Sequence, residues 1–469
     1  MKKSESLARN TILLTTGTLM TKGLSFVMVP FFSRWLSTED YGEFDLLCTF
    51  VSLLIPLIGL CSSEALFRFS MDESTVDGKK NHITNSVAIY FLNFTIASLF
   101  IISFKNVFGR EIVIPFCIIL FAELVNSYLG GFLRAIKRLD IYSYSNAITT
   151  ISIALFATLF IRVLNYGLIG IILGYGVGFI VGNLVIILYT KWWSYIDYKQ
   201  LSINRMIALI KYSYVLIPNS VAWWFINVSD RSIIRFFLNS SANGIYALAY
   251  KVPNVLSAVL GTFGIAWQQS AIEALGSDER NKYYNEIYNK MFVIIFSLGC
   301  GVLSLNSWMF NFVFDLKYYE GHLYTPILLG GTVLATISQF FGGIQIGFRK
   351  PGENGVTTLI GALTNIVVHL LLIVPTGLYA ASVSTLVSQM VVCILRKKRV
   401  ERIVAISLKK ESISALIIYM IFTVCAYYIT NNKFNIICTI IASFYVIFVN
   451  RSMISIIAKG CGSRITRKN

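Results

Sequence analysis

The sequence is short of charge: only 13% of its 469 residues are Asp, Glu, Lys or Arg, where a soluble globular chain carries about 25%. A deficit of that size leaves most helices without a water-facing side, so a water-soluble fold is excluded. The chain is also short of period-two alternation. Membrane barrel strands alternate apolar and polar residues over about ten positions, and this chain instead shows long apolar runs, such as "FCIILFAELV" and "IIYMIFTVCAYYI". A barrel is excluded too, which leaves helices as the way to satisfy the backbone in a bilayer. Its three histidines, His82, His322 and His369, are far apart and have no ligand partners nearby. The eight cysteines lie mostly inside apolar runs and none forms a C-x-x-C pair. Neither set makes a metal motif, and the cysteines read as small apolar residues. No gap between apolar runs is much longer than about 20 residues, which leaves no room for a soluble domain.

What is present is apolar surface, at 56% hydrophobic residues and a mean hydropathy of +0.68. A span needs about 20 largely apolar residues. That rule places about fourteen, near 10–33, 43–66, 84–105, 112–133, 143–163, 167–190, 208–234, 244–271, 288–312, 324–347, 355–375, 378–396, 412–430 and 434–456. The turns "NYG" and "PTG" separate the closest neighbours. The N-terminal apolar stretch continues past Lys22 to Phe32 with no small-residue cleavage site, so it reads as an uncleaved first span. The formal charge is +17, and its basis is local. Lys and Arg cluster in alternate gaps: Lys2 and Lys3, Lys79 and Lys80, Arg134 to Arg138, Lys191 to Lys211, Arg280 to Lys290, "RKKRVER", and the tail from Arg451. This is the positive-inside pattern. It puts both termini in the cytoplasm and removes the need for a nucleic-acid partner.

The sequence also repeats itself. "WLSTEDYGEFDLLCTFVSLL" from Trp35 aligns without a gap on "FLNSSANGIYALAYKVPNVL" from Phe237. Leu36 falls on Leu238, Thr38 on Ser240, Gly42 on Gly244, Phe44 on Tyr246, Leu46 on Leu248 and Leu54 on Leu256. Each segment is an outside loop opening a span, the second and the eighth. A parallel repeat of two six-span halves follows, with lobes at 1–200 and 201–400 and two added spans plus a basic tail at 401–469. Such repeats carry substrate sites near the membrane midplane.

Three stretches resemble a known family. "LSTEDYGEFDLL" is similar to a signature of polysaccharide biosynthesis flippases. "VSDRSIIRFFLNSSANGIYALAYKVPNVL" resembles their second-half signature, and "LTNIVVHLLLIVPTGLYAASVSTLVSQ" their late motif. In that order they look like the Wzx group of the multidrug/oligosaccharidyl-lipid/polysaccharide (MOP) exporter superfamily. The span count departs from the twelve drawn for many Wzx members and matches the fourteen of lipid II flippases. The resemblance implies two six-helix lobes in a V, with spans 1, 2, 7 and 8 lining a central cavity. It also implies an undecaprenyl-pyrophosphate-linked oligosaccharide as substrate, flipped by alternating access in the bacterial inner membrane, with no cofactor.

The residues have their own pattern. Span 1 carries Thr15, Thr18, Lys22 and Ser25 on one face, and span 7 carries Ser220, Asn227 and Arg231, with Asp230 beside them. Span 8 carries Lys251, Asn254 and Thr262, with Gln268 and Gln269 near its inner end; span 2 carries Asp45, Thr49 and Ser52. A charge at the bilayer centre costs ~2.5–3.5 kcal/mol on insertion scales, so these stripes are expected to face a wet cavity. Cations suit a pyrophosphate. Lys22, Arg231, Lys251, Asn227, Asn254, Gln268 and Gln269 are therefore the candidate substrate residues, and Asp230, Asp45 and Glu123 the candidate gating or coupling residues. Simpler readings stand beside these. Arg34 and Arg235 read as snorkelling to headgroups, Asp230 as the local partner of Arg231 or Arg235, Glu64 with Arg68 as an interfacial pair, and Glu123 as paired within span 4. Ser37 reads as a helix cap with Asp40 three residues on. Pro30, Pro56, Pro218 and Pro253, one in each presumed cavity span, read as kinks.

Two other functions compete. A cation-coupled drug exporter of the same fold would want cavity carboxylates, where this chain has cations. A membrane-embedded polymerase or glycosyltransferase would want a sizeable outside loop or an acidic catalytic pair. The flipping reading adds membrane lipid, polymerase and chain-length proteins, and an H+ or Na+ counter-ion as partners.

Overall fold

The structure, a computed structural model, describes residues 23–73, 75–103, 110–348, 351–428 and 432–451. Among these there is no strand. The fold is all-α and polytopic. Nine helices are long and apolar enough to cross a membrane among the described residues, with a shorter apolar one at Phe434–Val449. The chain divides into two compact units, Met1–Gly244 and Ile245–Asn469.

In the first unit α1 covers 23–35, followed by α2 (Thr38–Ile58), α3 (Ser62–Asp72), α4 (Val76–Ser103), α5 (Arg110–Ala135), α6 (Leu139–Thr158), α7 (Gly167–Thr190), α8 (Ile203–Ser213), α9 (Ile217–Phe237) and the first turn of α10 (Ser240–Glu273). Two expected spans are each broken in two. The 43–66 span is α2 and α3, joined by a corner in which Leu60 and Cys61 take positive φ, 49° and 50°. Pro56 lies in the last turn of α2, where the helix is ending, and the Cys61 N–H closes back on the Pro56 carbonyl at 3.2 Å. The 208–234 span is α8, a 3-10 turn at Tyr214–Leu216, and α9. Pro218 therefore sits in the first turn of α9, where a missing N–H costs nothing and φ is preset for helix. It starts a helix and does not kink one. Pro253, in contrast, lies inside the continuous α10.

α6 and α7 pack through a stripe of glycines. Gly170, Gly174, Gly178 and Gly182 recur every fourth residue, which puts them on one face. A Cβ on Gly174 would stand 2.5 Å from the Ala157 Cα, and one on Gly178 would stand 2.7 Å from the Ile153 backbone nitrogen. Small residues at this spacing let two membrane helices approach to backbone contact, where dispersion replaces the hydrophobic drive that lipid does not supply. The "NYG" turn before α7 places Asn165 and Gly167 at positive φ, 56° and 51°.

The second unit continues α10 and adds α11 (Arg280–Trp308), α12 (Gly321–Gly347), α13 (Pro351–Thr376), α14 (Tyr379–Glu401), α15 (Lys410–Tyr428) and α16 (Asn432–Val449). Its core is aromatic. Trp267 stacks on Phe340 with ring centroids 4.2 Å apart and donates its indole N–H to the Phe340 carbonyl at 2.9 Å. Tyr288, Phe292, Phe296 and Tyr419 extend the same cluster. The "PTG" turn bends at Gly377, φ 57°.

Candidate functional site: a polar seam along helices α2 and α9

The start of α2 is set by its sequence. The Ser37 hydroxyl accepts from the Asp40 N–H at 2.9 Å, and Glu39 and Asp40 put negative charge in the first turn, where the helix dipole favours it. The expected cap is present. Beyond it, Thr38-x-x-x-Gly42 opens α2 and Ser240-x-x-x-Gly244 opens α10, each a small-x-x-x-small pair. They pack on each other. A Cβ on Gly42 would stand 1.8 Å from the Ser240 carbonyl oxygen, and one on Gly244 would stand 2.0 Å from the Thr38 carbonyl oxygen. Around this contact the Thr38 and Ser241 hydroxyls share a hydrogen bond of 2.6 Å. The Asn243 amide donates to the Gly42 carbonyl at 2.7 Å.

From there α2 and α9 run antiparallel with one tie after another. Arg235 donates through Nε to Glu43 at 2.8 Å, and the Ser240 hydroxyl donates to the same carboxylate oxygen. Deeper, Arg231 Nε donates to Asp45 Oδ2 at 2.5 Å, with the two side chains 9% and 12% exposed. Deeper still, the Trp224 indole donates to the Thr49 carbonyl at 2.8 Å. Cys61 and Ser220 meet at the far end, 3.6 Å apart. Tyr41 is buried beside the Asp45–Arg231 pair.

The Arg231–Asp45 pair is buried, so its own net contribution to stability is small or unfavourable. Losing one partner, though, leaves the other charge stranded at a cost of about 3–5 kcal/mol. Chemically, Nε accounts for one of the five N–H donors of a guanidinium. The pair fixes where the cation sits and makes its field depend on a neighbouring helix.

The structure thus joins two residues assigned separate roles from sequence, Arg231 as a substrate cation and Asp45 as a coupling acid. Asp230 is buried one residue away. Arg235 is 47% exposed, so it reaches the surface while bound to Glu43. The expected Glu64–Arg68 pair is not formed. Glu64 accepts a two-armed bond from Arg134 at 2.6 and 3.1 Å, and Arg68 pairs with Asp72 one turn along its own helix at 2.5 Å. The planar carboxylate–guanidinium fit favours the longer-range partner for Glu64. Glu123 has no hydrogen bond or ion pair among the described residues, so the expected partner within its span is absent. Lys22 lies outside the described residues, as do the side chains of Asn227 and Gln269. In the second unit Lys251 is half-buried on α10, and Asn254 and Gln268 are exposed on it.

Glu43 is the residue that the sequence reading passed over, as one letter of a signature. The signal was available. Arg231 and Arg235, four residues apart in an apolar span, call for acids at matching spacing on a neighbour, and Glu43 and Asp45 open the span that aligns with α10. Among the described residues no cluster of three or more His, Cys, Asp or Glu could hold a metal ion.

Comparison with known proteins agrees with this architecture. A family model described as polysaccharide biosynthesis protein matches residues 7–268. The "Probable low-salt glycan biosynthesis flippase Agl15" of Haloferax volcanii is 23% identical over 429 residues, covering 87% of this chain and 86% of its own length. Among solved structures, the lipid II flippase MurJ in its inward closed conformation superposes with a TM-score of 0.72 at 15% identity, over 94% of this chain and 100% of that one. A multidrug resistance MATE family transporter of the MOP superfamily, inward-facing, gives 0.57 at 13% identity, over 84% and 98%. These last two show the fold. With the family model covering more than half of the chain, the protein belongs to the polysaccharide biosynthesis protein family.

Proposed function

We propose that this protein flips a lipid-linked glycan, an undecaprenyl-pyrophosphate-linked oligosaccharide of the O-antigen type, from the cytoplasmic to the outer leaflet of a bacterial inner membrane by alternating access. The observation that carries the reading is the family match over residues 7–268, supported by a glycan flippase relative aligned over 87% of the chain. Both termini are cytoplasmic in this reading, and the six-span lobes are 1–200 and 201–400, with 401–469 added. Lys22, Arg231 and Lys251 are the candidate holders of the anionic head group, with Asn227, Asn254, Gln268 and Gln269 for sugar hydroxyls. Asp45 and Asp230 would govern the charge presented by Arg231, and Glu123, without a partner among the described residues, is the candidate for an H+ or Na+ counter-ion.

The test uses a flippase-null strain, with surface polysaccharide as readout and membrane protein level measured alongside. Lys22→Ala, Arg231→Ala and Lys251→Ala should each lower surface polymer, and the Glu variants should lower it further, because repulsion is added to a lost bond worth ~1.5–3 kcal/mol. Normal polymer from the Glu variants at all three positions would remove the anion-binding assignment and favour the drug-exporter reading.

A further inference from the structure

α11 is 29 residues long, and its apolar run carries on to Val313. The 34-residue stretch Arg280–Val313 would reach about 51 Å at 1.5 Å per residue, against about 30 Å of hydrocarbon. Its first part, "RNKYYNEIYNK", is polar, and the apolar part starts at Met291. The bilayer boundary on this helix therefore falls near Lys290. α15 turns from polar to apolar just after Glu411 and Ser412, and α16 turns from apolar to polar at Val449 and Asn450. The three boundaries meet at one cavity of about 530 Å³, lined among others by Glu286, Lys290, Val293, Ile294, Lys409 and Glu411. That volume is in the range of small-molecule sites, roughly 300–1,000 Å³.

One wall of the cavity is rigid. Asn289 is buried and accepts from the Lys409 N–H at 2.7 Å and from the Ser412 hydroxyl at 2.7 Å, while its amide donates to the Ser407 carbonyl at 2.9 Å. Asn285, one turn earlier, holds the Ala405 carbonyl at 2.6 Å. These two asparagines fasten the loop before α15 to α11 and so place Lys409 and Glu411 opposite Glu286 and Lys290. Among the described residues none of those four side chains forms an ion pair. Val293 and Ile294 form an apolar floor one turn further into the hydrocarbon.

We infer that this cavity holds the head of a bilayer phospholipid that is zwitterionic, with a phosphate and a primary ammonium, its acyl chains lying over Val293 and Ile294. The lysines take the phosphate by charge-assisted bonds and the carboxylates take the ammonium. The equal count of acids and bases in the lining is what selects the ligand. Basic pockets at this level of a membrane bind anionic heads, and two carboxylates in the lining work against that. The inference stands apart from the glycan-flipping reading, because it concerns a resident lipid in the second unit.

The experiment extracts the full-length protein in mild detergent, exchanges it into nanodiscs or micelles with defined lipids, and counts retained lipid by native mass spectrometry. The probes are phosphatidylethanolamine, phosphatidylcholine and phosphatidylglycerol. Wild type should retain one phosphatidylethanolamine through detergent washing, at least fivefold over either competitor. The Lys290→Ala/Lys409→Ala double variant should lose at least tenfold of that retention. Glu286→Gln/Glu411→Gln should turn the preference toward phosphatidylglycerol. Ile294→Trp, which fills the floor and leaves the charges, should also release the lipid. Circular dichroism and elution position check folding of each variant. Equal retention of all three lipids, a preference of wild type for phosphatidylglycerol, or retention unchanged in folded variants would each overturn the assignment. No glycan is present in this assay, so its failure says nothing of flipping, and a failure of flipping leaves it intact.

Discussion

Gly42 and Gly244 face each other reciprocally. A Cβ on the first would strike the carbonyl oxygen of Ser240, four residues before the second, and a Cβ on the second would strike that of Thr38, four residues before the first. These are the residues that the internal repeat aligns, Thr38 with Ser240 and Gly42 with Gly244. The two copies of the repeat meet at their own matched glycines.

Alanine at either glycine therefore has to move backbone, since what stands at 1.8 and 2.0 Å is a carbonyl and not the end of a flexible side chain. Gly42→Ala and Gly244→Ala should each destabilise by about 1–3 kcal/mol, the usual range for overpacking. The double variant should cost less than the sum, because one separation of the helices relieves both clashes. Thermal unfolding of the detergent-solubilised protein, followed by fluorescence-detected elution, measures it. Additive losses would mean that the two positions do not share a contact.

The hydroxyls of Thr38 and Ser241 lie 2.6 Å apart on helices that are distant in sequence. In a cysteine-free background, Thr38→Cys with Ser241→Cys should form a disulfide under mild oxidation. A pair at Glu39 and Ser241 should cross-link less. If holding these two helix starts together blocks the transport cycle, oxidation should stop polymer export and reductant should restore it.

Asp45 and Arg231 should behave as a coupled pair. Asp45→Ala or Arg231→Ala alone strands a buried charge and should cost about 3–5 kcal/mol, and removing both should cost clearly less than the two losses added. Swapping them, Asp45→Arg with Arg231→Asp, should recover part of the stability. Polymer export need not follow stability. If Arg231 holds the head group, the swapped protein will be present in the membrane and inactive, whereas an active swap would reduce the pair to a structural tie.

The glycine stripe on α7 gives a control remote from the seam. Gly174→Leu or Gly178→Leu should lower protein abundance and thermal stability by forcing α6 away. Gly352→Leu, where a Cβ meets nothing within 4 Å, should be tolerated. Similar losses at both kinds of position would argue against close helix packing as the reason for the stripe.

Topology is checked by reporter fusions. Those at Lys79, Lys191, Lys282 and Lys397 should read cytoplasmic, and those at Glu39, Ser240 and Asn432 should read outside. A cytoplasmic reading at Ser240 would place the two copies of the repeat on opposite faces, which their reciprocal contact forbids.

Much of the fold was legible because the bilayer imposes so few solutions. Composition alone fixed helices, and apolar run length located them. Two breaks were not legible. A hydropathy run through 43–66 carries no mark of the left-handed corner at Leu60 and Cys61, and one through 208–234 hides the start of α9 at Ile217. In both places a proline was visible, but only the register of the helix tells whether it kinks, ends or starts one. At the site, the sequence named Asp45 and Arg231 but not their union. Pairing across 186 residues depends on which faces of α2 and α9 meet, and helical periodicity within one span cannot supply that. Glu64 illustrates the same limit: its nearest base in sequence was Arg68, and its partner is Arg134.

A contact in which each side touches the other through the same pair of positions is what a two-fold homodimer makes. The Gly42–Gly244 crossing repeats that reciprocal arrangement within one polypeptide. The charges around it do not repeat. Offset by the same 202 positions that bring Gly42 onto Gly244, Glu43 and Asp45 correspond to Ile245 and Ala247, and Arg231 and Arg235 to Val29 and Ser33. At these four positions the acids lie only in the first copy and the bases only in the second. A half-length chain carrying both at the equivalent positions would pair acid with base twice across its symmetry axis, and so would fit a second copy of itself. Dividing them between the copies makes the pairing one-way, so that each half recognises the other and not a second copy of itself.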